Sequence, residues 1–469
     1  MLSVRFLSCL ILASCAASLT APFSARAEPA RAAAPSSAAV LEKVLLVSRH
    51  GIRSPTKPLS TLEKQTGRVW SVWPVPPGEL TDHGRANLAL MGTFLHHWYA
   101  PLITQSSTPC ASAAAIFVWA DAADNRTRQS GDSLSHALTQ GCTGTAHSLP
   151  AGQHDPLFNA LAAGQARLDQ QRVMPPLSHA FQQATTPGST EAHAEAALQA
   201  VFAPAGCQQR TGPCFSAPAV LSWKKDQPHT TGGLTLSSST AENLLLEYVQ
   251  DLPSTAFANA ALTPEDKDAR TRQLLATVLP AHALLSDRLR RLPAIVVPRG
   301  HVLAEALLES LADNPVSLPD GSALPPSARL ILFAGHDTTL DMLATLFGLD
   351  WSFTDQPDRT APDTTLAFEL WRLPDGQKEV RFRVFHQSLE QLRLARPMRA
   401  GGGRHATPAA QPVLLCRCTD AVQPGGTGPR PEKPYGISVL AVPRAPQTRC
   451  CGCSLNDLPV LKKMPESGV

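Results

Sequence analysis

Three short apolar runs lie far apart in this chain, and each ends in a polar cluster that leads into a helical pattern. They are Val44-Leu45-Leu46-Val47-Ser48, Ile116-Phe117-Val118-Trp119-Ala120 and Leu330-Ile331-Leu332-Phe333. A run of this length without alternation suits a strand buried on both faces. Thr81 opens a helical pattern in which Leu88, Met91 and Leu95 share one face, and its hydroxyl can cap that helix. Further helices are predicted over residues 124–138, 240–249, 281–289, 302–311 and 338–347, while the alternation over 365–387 suits edge strands. Strands that lead repeatedly into helices predict an α/β fold, with a mostly parallel central sheet flanked by helices. Residues 150–230 are rich in Gln, Ala and Pro and read as part of a smaller, mainly helical inserted domain. The expected division is an α/β catalytic domain over 43–150 and 290–399, an insertion over 151–289 and a cysteine-containing tail over 400–469. In such a sheet the carboxyl ends of the strands hold the site.

The N-terminus reads as an address. Arg5 precedes the apolar stretch Phe6–Ala13, and Ala25-Arg26-Ala27 offers a cleavage site, so residues 1–27 are expected to be a secretory signal peptide. Residues 28–42 would then form a flexible leader, and the mature protein would be periplasmic or secreted. Leu12-Ala13-Ser14-Cys15 also matches a bacterial lipobox, so a lipid anchor at Cys15 is the alternative. After residue 27 no apolar run reaches the roughly 20 residues a transmembrane helix needs. The formal net charge of +3 excludes a strongly basic nucleic-acid binder. Any anion site must therefore be a local cluster.

Of 11 cysteines, Cys9 and Cys15 fall in the signal region. Export permits disulfides, and Cys110–Cys142 and Cys207–Cys214 are the expected bridges. The pairing of Cys416, Cys418, Cys450, Cys451 and Cys453 stays open, with a zinc site in the tail as the competing reading.

The chemistry sits at the strand ends. Arg49-His50-Gly51-Ile52-Arg53-Ser54-Pro55 follows the first run directly. Arginine presents a planar fork matched to phosphate oxygens. A histidine among cations is disfavoured from protonating, and a neutral imidazole is a nucleophile. Gly51 would let backbone approach a ligand closely. Gly335-His336-Asp337-Thr338-Thr339 follows the third run, and its carboxyl group can act as general acid on a leaving oxygen. Asp337 could equally be a helix cap. Asp124-Asn125-Arg126-Thr127-Arg128 follows the second run and can supply another cation at a helix N-terminus.

This set resembles the histidine acid phosphatase family, in its bacterial periplasmic phytase and acid phosphatase branch. The resemblance covers roughly residues 43–395. Pro55-Thr56-Lys57, Trp70–Pro74, Leu80-Thr81, Asp155–Asn159 and Trp351–Pro357 support it. It implies a phosphoglycerate-mutase-like α/β core and a phosphohistidine mechanism. His50 would attack phosphorus. Arg49, Arg53, Arg126 and His336 would clamp the phosphoryl oxygens. Asp337 would protonate the leaving alcohol, which implies an acidic optimum. Arg126 is preferred to Arg128 on the resemblance alone. Thr56 and Lys57 would contact further phosphates, and Glu247 matches a helix position facing the substrate. No metal or organic cofactor is implied. The expected partner is a small phosphorylated substrate, phytate or another phosphomonoester, and the expected form is a monomer.

The sequence departs from the branch in places. Thr338-Thr339 stands where Thr-Asn is usual, a partner cysteine near Arg167 is missing, and the segment around Leu285-Ser286-Asp287 lacks the expected histidine-containing pattern. These leave the reaction intact and the substrate open. The alternatives are a narrower glucose-1-phosphate phosphatase, a phosphoglycerate-mutase-like mutase, or a non-catalytic phosphate-binding protein on the same scaffold. Gly51, the export signal and the retention of His50 and Asp337 argue against them in turn.

Overall fold

Strand β1 (Val40–Arg49) shows how an unbroken apolar run is used: every residue from Val44 to Arg49 is buried. The computed structural model describes residues 38–104, 110–182, 188–204, 206–207, 213–398 and 405–406. In chain order β1 is followed by helices α1 (Leu59–Thr66), α2 (Asp82–Trp98) and α3 (Ala100–Ile103), then β2 (Ile116–Ala120) and α4 (Asn125–Leu138). Next come α5 (Pro156–Asn159), α6 (Gln170–Gln182), α7 (Thr190–Phe202), β3 (Val220–Lys224), β4 (Gln227–Thr231), α8 (Gly233–Val249) and α9 (Pro264–Leu285). The chain ends through α10 (Pro293–Leu311), β5 (Leu330–Gly335), α11 (Asp337–Phe347), β6 (Thr365–Arg372), β7 (Lys378–Phe385), α12 (Leu389–Leu394) and β8 (His405–Ala406).

The main sheet has the order β2-β5-β1-β6-β7-β8. Its β2–β5 and β5–β1 pairs are parallel, whereas β1–β6, β6–β7 and β7–β8 are antiparallel. The sheet is thus mixed, which corrects the expectation of a mostly parallel one. The cause lies in the connection: β6 and β7 are joined by a short turn, and a hairpin can only be antiparallel. A second correction concerns the leader, since β1 begins at Val40, inside the stretch assigned to it. Within the region read as mainly helical, β3 and β4 form a hairpin. Its turn residues Lys225 and Asp226 both have positive φ, as a tight hairpin turn requires.

Alternation within the buried strands feeds two cores. Leu45, Val47, Phe117, Trp119, Ile331 and Phe333 face α10 and α11, packing on Leu303, Leu307 and Leu343. Val44, Leu46, Val118, Leu330 and Leu332 face α2 and α4, packing on Leu88, Met91, Leu95 and Leu134. Each such side chain contributes about 1.5–3 kcal/mol by leaving water. Thr81 caps α2, its Oγ1 accepting from Gly84 N at 2.9 Å. A third core joins α7, α8 and α9 through Leu198, Leu244, Leu245, Leu275 and Val278.

Cys110–Cys142 and Cys207–Cys214 are both bridged. The tail cysteines, the residues expected to form a signal peptide and Cys15 lie outside the described residues. From the tail, His405 and Ala406 pair with Phe385 and Val384.

Candidate active site

Register brings three polar segments to one place. Arg49 pairs with Gly335, and Ala120 with Ala334, so β1, β5 and β2 end level. The chain leaves those ends through His50, His336 and Asp121. The His50 and His336 rings meet edge to face, with centroids 5.5 Å apart. His50 Nδ1 lies 2.9 Å from the Gly51 carbonyl oxygen. A carbonyl only accepts, which assigns the hydrogen to Nδ1 and leaves the lone pair on Nε2. Burial, then Arg126, Arg49, Arg53 and His336, hold the His50 pKa well below its ordinary value. Those surroundings favour the neutral imidazole.

Arg49 and Arg53 are held by groups the sequence did not single out. Arg49 is fully buried and donates through Nη1 to the Thr360 carbonyl and through Nη2 to Glu242 Oε1 at 2.7 Å. Arg53 Nη2 donates to the same Glu242 oxygen at 3.0 Å. Burial opposes the Glu242 charge, but Arg53 and Arg49 outweigh it and keep its pKa low. Arg126 Nη2 donates to Asp124 Oδ2 at 2.7 Å, and His336 Nε2 lies 2.9 Å from that same oxygen. His336 Nδ1 is 3.3 Å from Asp121 Oδ2. Two carboxylates thus fix the His336 ring from both sides.

Asp337 is the first residue of α11; His336 is its N-cap. Asp337 Oδ2 accepts from Arg290 Nη1. Burial would raise its pKa, but Arg290, Arg49 and His282 prevail and hold it well below the carboxylate range. Arg290 comes from a π-helical turn, Ser286–Arg290, that continues α9. The same junction anchors α11, because Ser286 Oγ and Arg291 Nε both donate to Asp341. His282, on α9, is buried between Asp337 and Asp358. Ligand atoms of Glu242, His282 and Asp337 lie within 4.8 Å of one another. Arg49, Arg53 and Arg290 already neutralise those carboxylates, so the trio fits an ion-pair network and does not fit a divalent-metal site.

The structure thus brings His50, Arg49, Arg53, Arg126, His336 and Asp337 together. Thr56 and Lys57 are exposed at the rim, where Lys57 Nζ donates to Gln65 Oε1 at 3.3 Å. Glu247 is not in the site, which corrects the helix assignment. It is buried, and its carboxylate accepts from Thr255 N at 2.8 Å and Thr255 Oγ1 at 2.5 Å. Five residues along a helix turn it roughly 140° from Glu242, which faces the arginines instead. Gly51 also serves a different end than expected. An added Cβ there would lie 2.7 Å from Leu88 Cδ1 and 3.0 Å from the Gly84 carbonyl, so the glycine lets the motif dock on α2.

The profile of the histidine phosphatase superfamily (branch 2) matches residues 40–200. The phytase AppA of Escherichia coli (strain K12) is 29% identical over 374 residues, covering 76% of this chain and 83% of that protein. A glucose-1-phosphatase of Salmonella typhimurium is 23% identical over 363 residues, covering 76% and 83% respectively. Among solved structures, the Hafnia alvei phytase in complex with myo-inositol hexakis sulphate superposes with a TM-score of 0.65 at 31% identity, covering 78% of this chain and 89% of that one.

Proposed function

The chain belongs to branch 2 of the histidine phosphatase superfamily, the acid phosphatase and phytase hydrolases, and we propose on that premise that it is an exported acid phosphomonoesterase working through a phosphohistidine. The observation that carries this reading is the buried His50, its Nδ1 held at the Gly51 carbonyl so that Nε2 is free to act, with Arg49, Arg53 and Arg126 around it and disfavouring its protonation.

In this reading a phosphoryl group enters between the three arginines and His336, exchanging the Glu242 and Asp124 contacts for its own oxygens. The guanidinium forks stabilise the charge that builds on those oxygens in the transition state. His50 Nε2 bonds to phosphorus while the ester oxygen leaves. Asp337 protonates that oxygen, then as carboxylate takes a proton from the water that cleaves the P–N bond. The low His50 pKa keeps the nucleophile available in acid, and an acid-side optimum follows.

Phytate is the favoured substrate. The exposed Thr56 and Lys57, and the part-exposed Arg290 beside Asp337, offer polar and cationic contacts beyond a single phosphoryl group. A glucose-1-phosphatase is the second reading, supported by the relatives of that name. Phosphate release from phytate, glucose 1-phosphate and p-nitrophenyl phosphate across pH 3–8, by residues 28–469 and by His50→Ala, tests both. Activity on phytate in acid without added metal, lost in His50→Ala, supports the proposal. Turnover confined to glucose 1-phosphate would select the narrower enzyme, and a folded but inert wild type would point to a binding protein.

A further inference from the structure

Asp337 poses a problem of proton supply. The leaving alcohol needs a proton, yet Arg290 and Arg49 favour the ionised carboxylate. The source must therefore be a group next to Asp337 that keeps a proton when Asp337 does not.

Among the described residues His282 fits that requirement. Only 4% of it is exposed, and neither ring nitrogen has a hydrogen-bond partner among the described residues. Nε2 stands 3.8 Å from Asp337 Oδ2, and Nδ1 stands 3.5 Å from Asp358 Oδ2. Asp358 is equally buried. Its Oδ1 is occupied by Thr360 N at 3.0 Å, while its Oδ2 has no hydrogen-bond partner and faces the imidazole, with Arg49 Nη1 at 3.6 Å. A buried imidazole without hydrogen bonds is costly, unless it carries charge between carboxylates. The charged groups around His282 are Asp358, Asp337 and Glu242, set against Arg290 and, beyond Asp358, Arg49.

We propose that His282 is a positioning residue for the reaction: held as an imidazolium by Asp358, it hands its Nε2 proton to Asp337 and takes it back in each turnover. This rests on the hydrolase reading above. The step balances. As substrate charge offsets Arg290 and Arg49, the His282 Nε2–H bond breaks and an Asp337 O–H bond forms. That proton moves to the ester oxygen as its bond to phosphorus breaks and the bond from His50 Nε2 forms. In the second half Asp337 takes a proton from the attacking water and returns it to His282. The net reaction is ester plus water to alcohol plus phosphate.

The electrostatics agree. Burial works against charge on His282, but Asp358 and Glu242 outweigh it and raise its pKa above the ordinary histidine value. Asp358 is pushed down to about 2, so it is ionised wherever the enzyme works. The π-helical turn after α9 brings Arg290 Nη1 to Asp337 Oδ2, the same oxygen that His282 Nε2 faces.

The test uses two phosphate esters that differ in how much the leaving oxygen needs a proton. Glycerol 2-phosphate releases a strongly basic alkoxide; 2,4-dinitrophenyl phosphate releases an anion stable without one. In His282→Asn, kcat/KM on glycerol 2-phosphate should fall about 100-fold further than on the dinitrophenyl ester, the low end of lost acid–base assistance. The high-pH limb of the glycerol 2-phosphate profile should also move to lower pH, because protonation would then depend on Asp337 alone. The ratio of substrates is independent of the folded fraction, and Asp358→Asn reads the same ratio should the first variant not fold. Equal losses on both esters with an unmoved limb would overturn the proposal and leave His282 a packing residue. A wild type inert on both esters would overturn the hydrolase reading itself, a result distinct from an unchanged ratio.

Discussion

Replacing Asp363 with glycine should stabilise the protein by about 2 kcal/mol at neutral pH. Asp363 lies beneath the first motif, its N–H donating to the His50 carbonyl at 3.4 Å, and it is fully buried. Its φ is 66°, in the left-handed region, which costs an L-residue about 1–2 kcal/mol. Neither carboxyl oxygen has a hydrogen-bond partner among the described residues, a penalty of about 1–3 kcal/mol. Glycine relieves both, and the greater freedom of the unfolded chain returns about 0.5–1 kcal/mol against it. The net is about 2 kcal/mol, or roughly 3 °C in melting temperature for a folded region of this size. The gain should depend on pH with a definite sign. Burial pushes the Asp363 pKa well above the usual carboxylate range. Its contribution is most favourable below the unfolded value and is lost as pH rises toward the folded one. The glycine variant should therefore gain more at pH 7 than at pH 4. Thermal melts of both proteins at the two pH values measure this. A melting temperature that is unchanged or lower, or a larger gain at pH 4, would refute the reasoning and mean that Asp363 makes an interaction worth more than its strain.

Asp358 behaves in the opposite sense. Its pKa is about 2 in the fold, so the unfolded chain binds the extra proton between that value and roughly 4. The Asp358 contribution, of order 2 kcal/mol, should be present above pH 4 and disappear as pH falls through 2. Urea melts of wild type and Asp358→Asn from pH 2 to 6 should converge at the acid end. Gly51→Ala should cost about 1–3 kcal/mol by overpacking against Leu88 and α2, visible as a lower urea midpoint. Cys110→Ser opens a bridge spanning 32 residues, and the chain-entropy relation gives a loss of about 3–4 kcal/mol in thermal or urea unfolding.

Much of the site was legible because its residues sit where strands end. A buried strand is a short apolar run, and the polar residues just after it must lie at the sheet's carboxyl edge. His50, Arg49, Arg53, His336 and Asp337 were found that way, whereas Arg126 was chosen over Arg128 on the resemblance alone. Glu242, His282, Arg290 and Asp358 were not found. The first two are single polar residues on the long helices α8 and α9, where a polar residue is ordinary, and no local pattern marks the turn of helix that faces the arginines. Arg290 depends on a π-helical turn, which an α-helical period hides. Asp358 stands in a loop whose position is fixed only by packing. The departure seen around Leu285-Ser286-Asp287 was a signal of this kind, since the π-helical turn begins at Ser286.

The sheet shows the same limit. Alternation over 365–387 suggested edge strands, but β6 lies inside the sheet between β1 and β7 and is buried from Thr365 to Leu370; β7 alone keeps the alternation, itself the mark of antiparallel pairing. Extending the parallel rule from β1, β2 and β5 to the whole sheet overlooked it. Glu247 was placed in the site, whereas Glu242, five residues earlier, faces the arginines; the two look alike in sequence, but that spacing turns the side chain to another face.

The claim on which the rest depends is that His50 carries the phosphoryl group. Wild-type protein mixed with ³²P-labelled phosphate ester and quenched in alkali within milliseconds tests it directly, because a phosphorus–nitrogen bond to histidine survives alkali and is lost in acid. Acid-labile, alkali-stable label on the peptide containing His50, absent from His50→Ala, is the predicted result. Label on another residue, or no label while turnover proceeds, would contradict it.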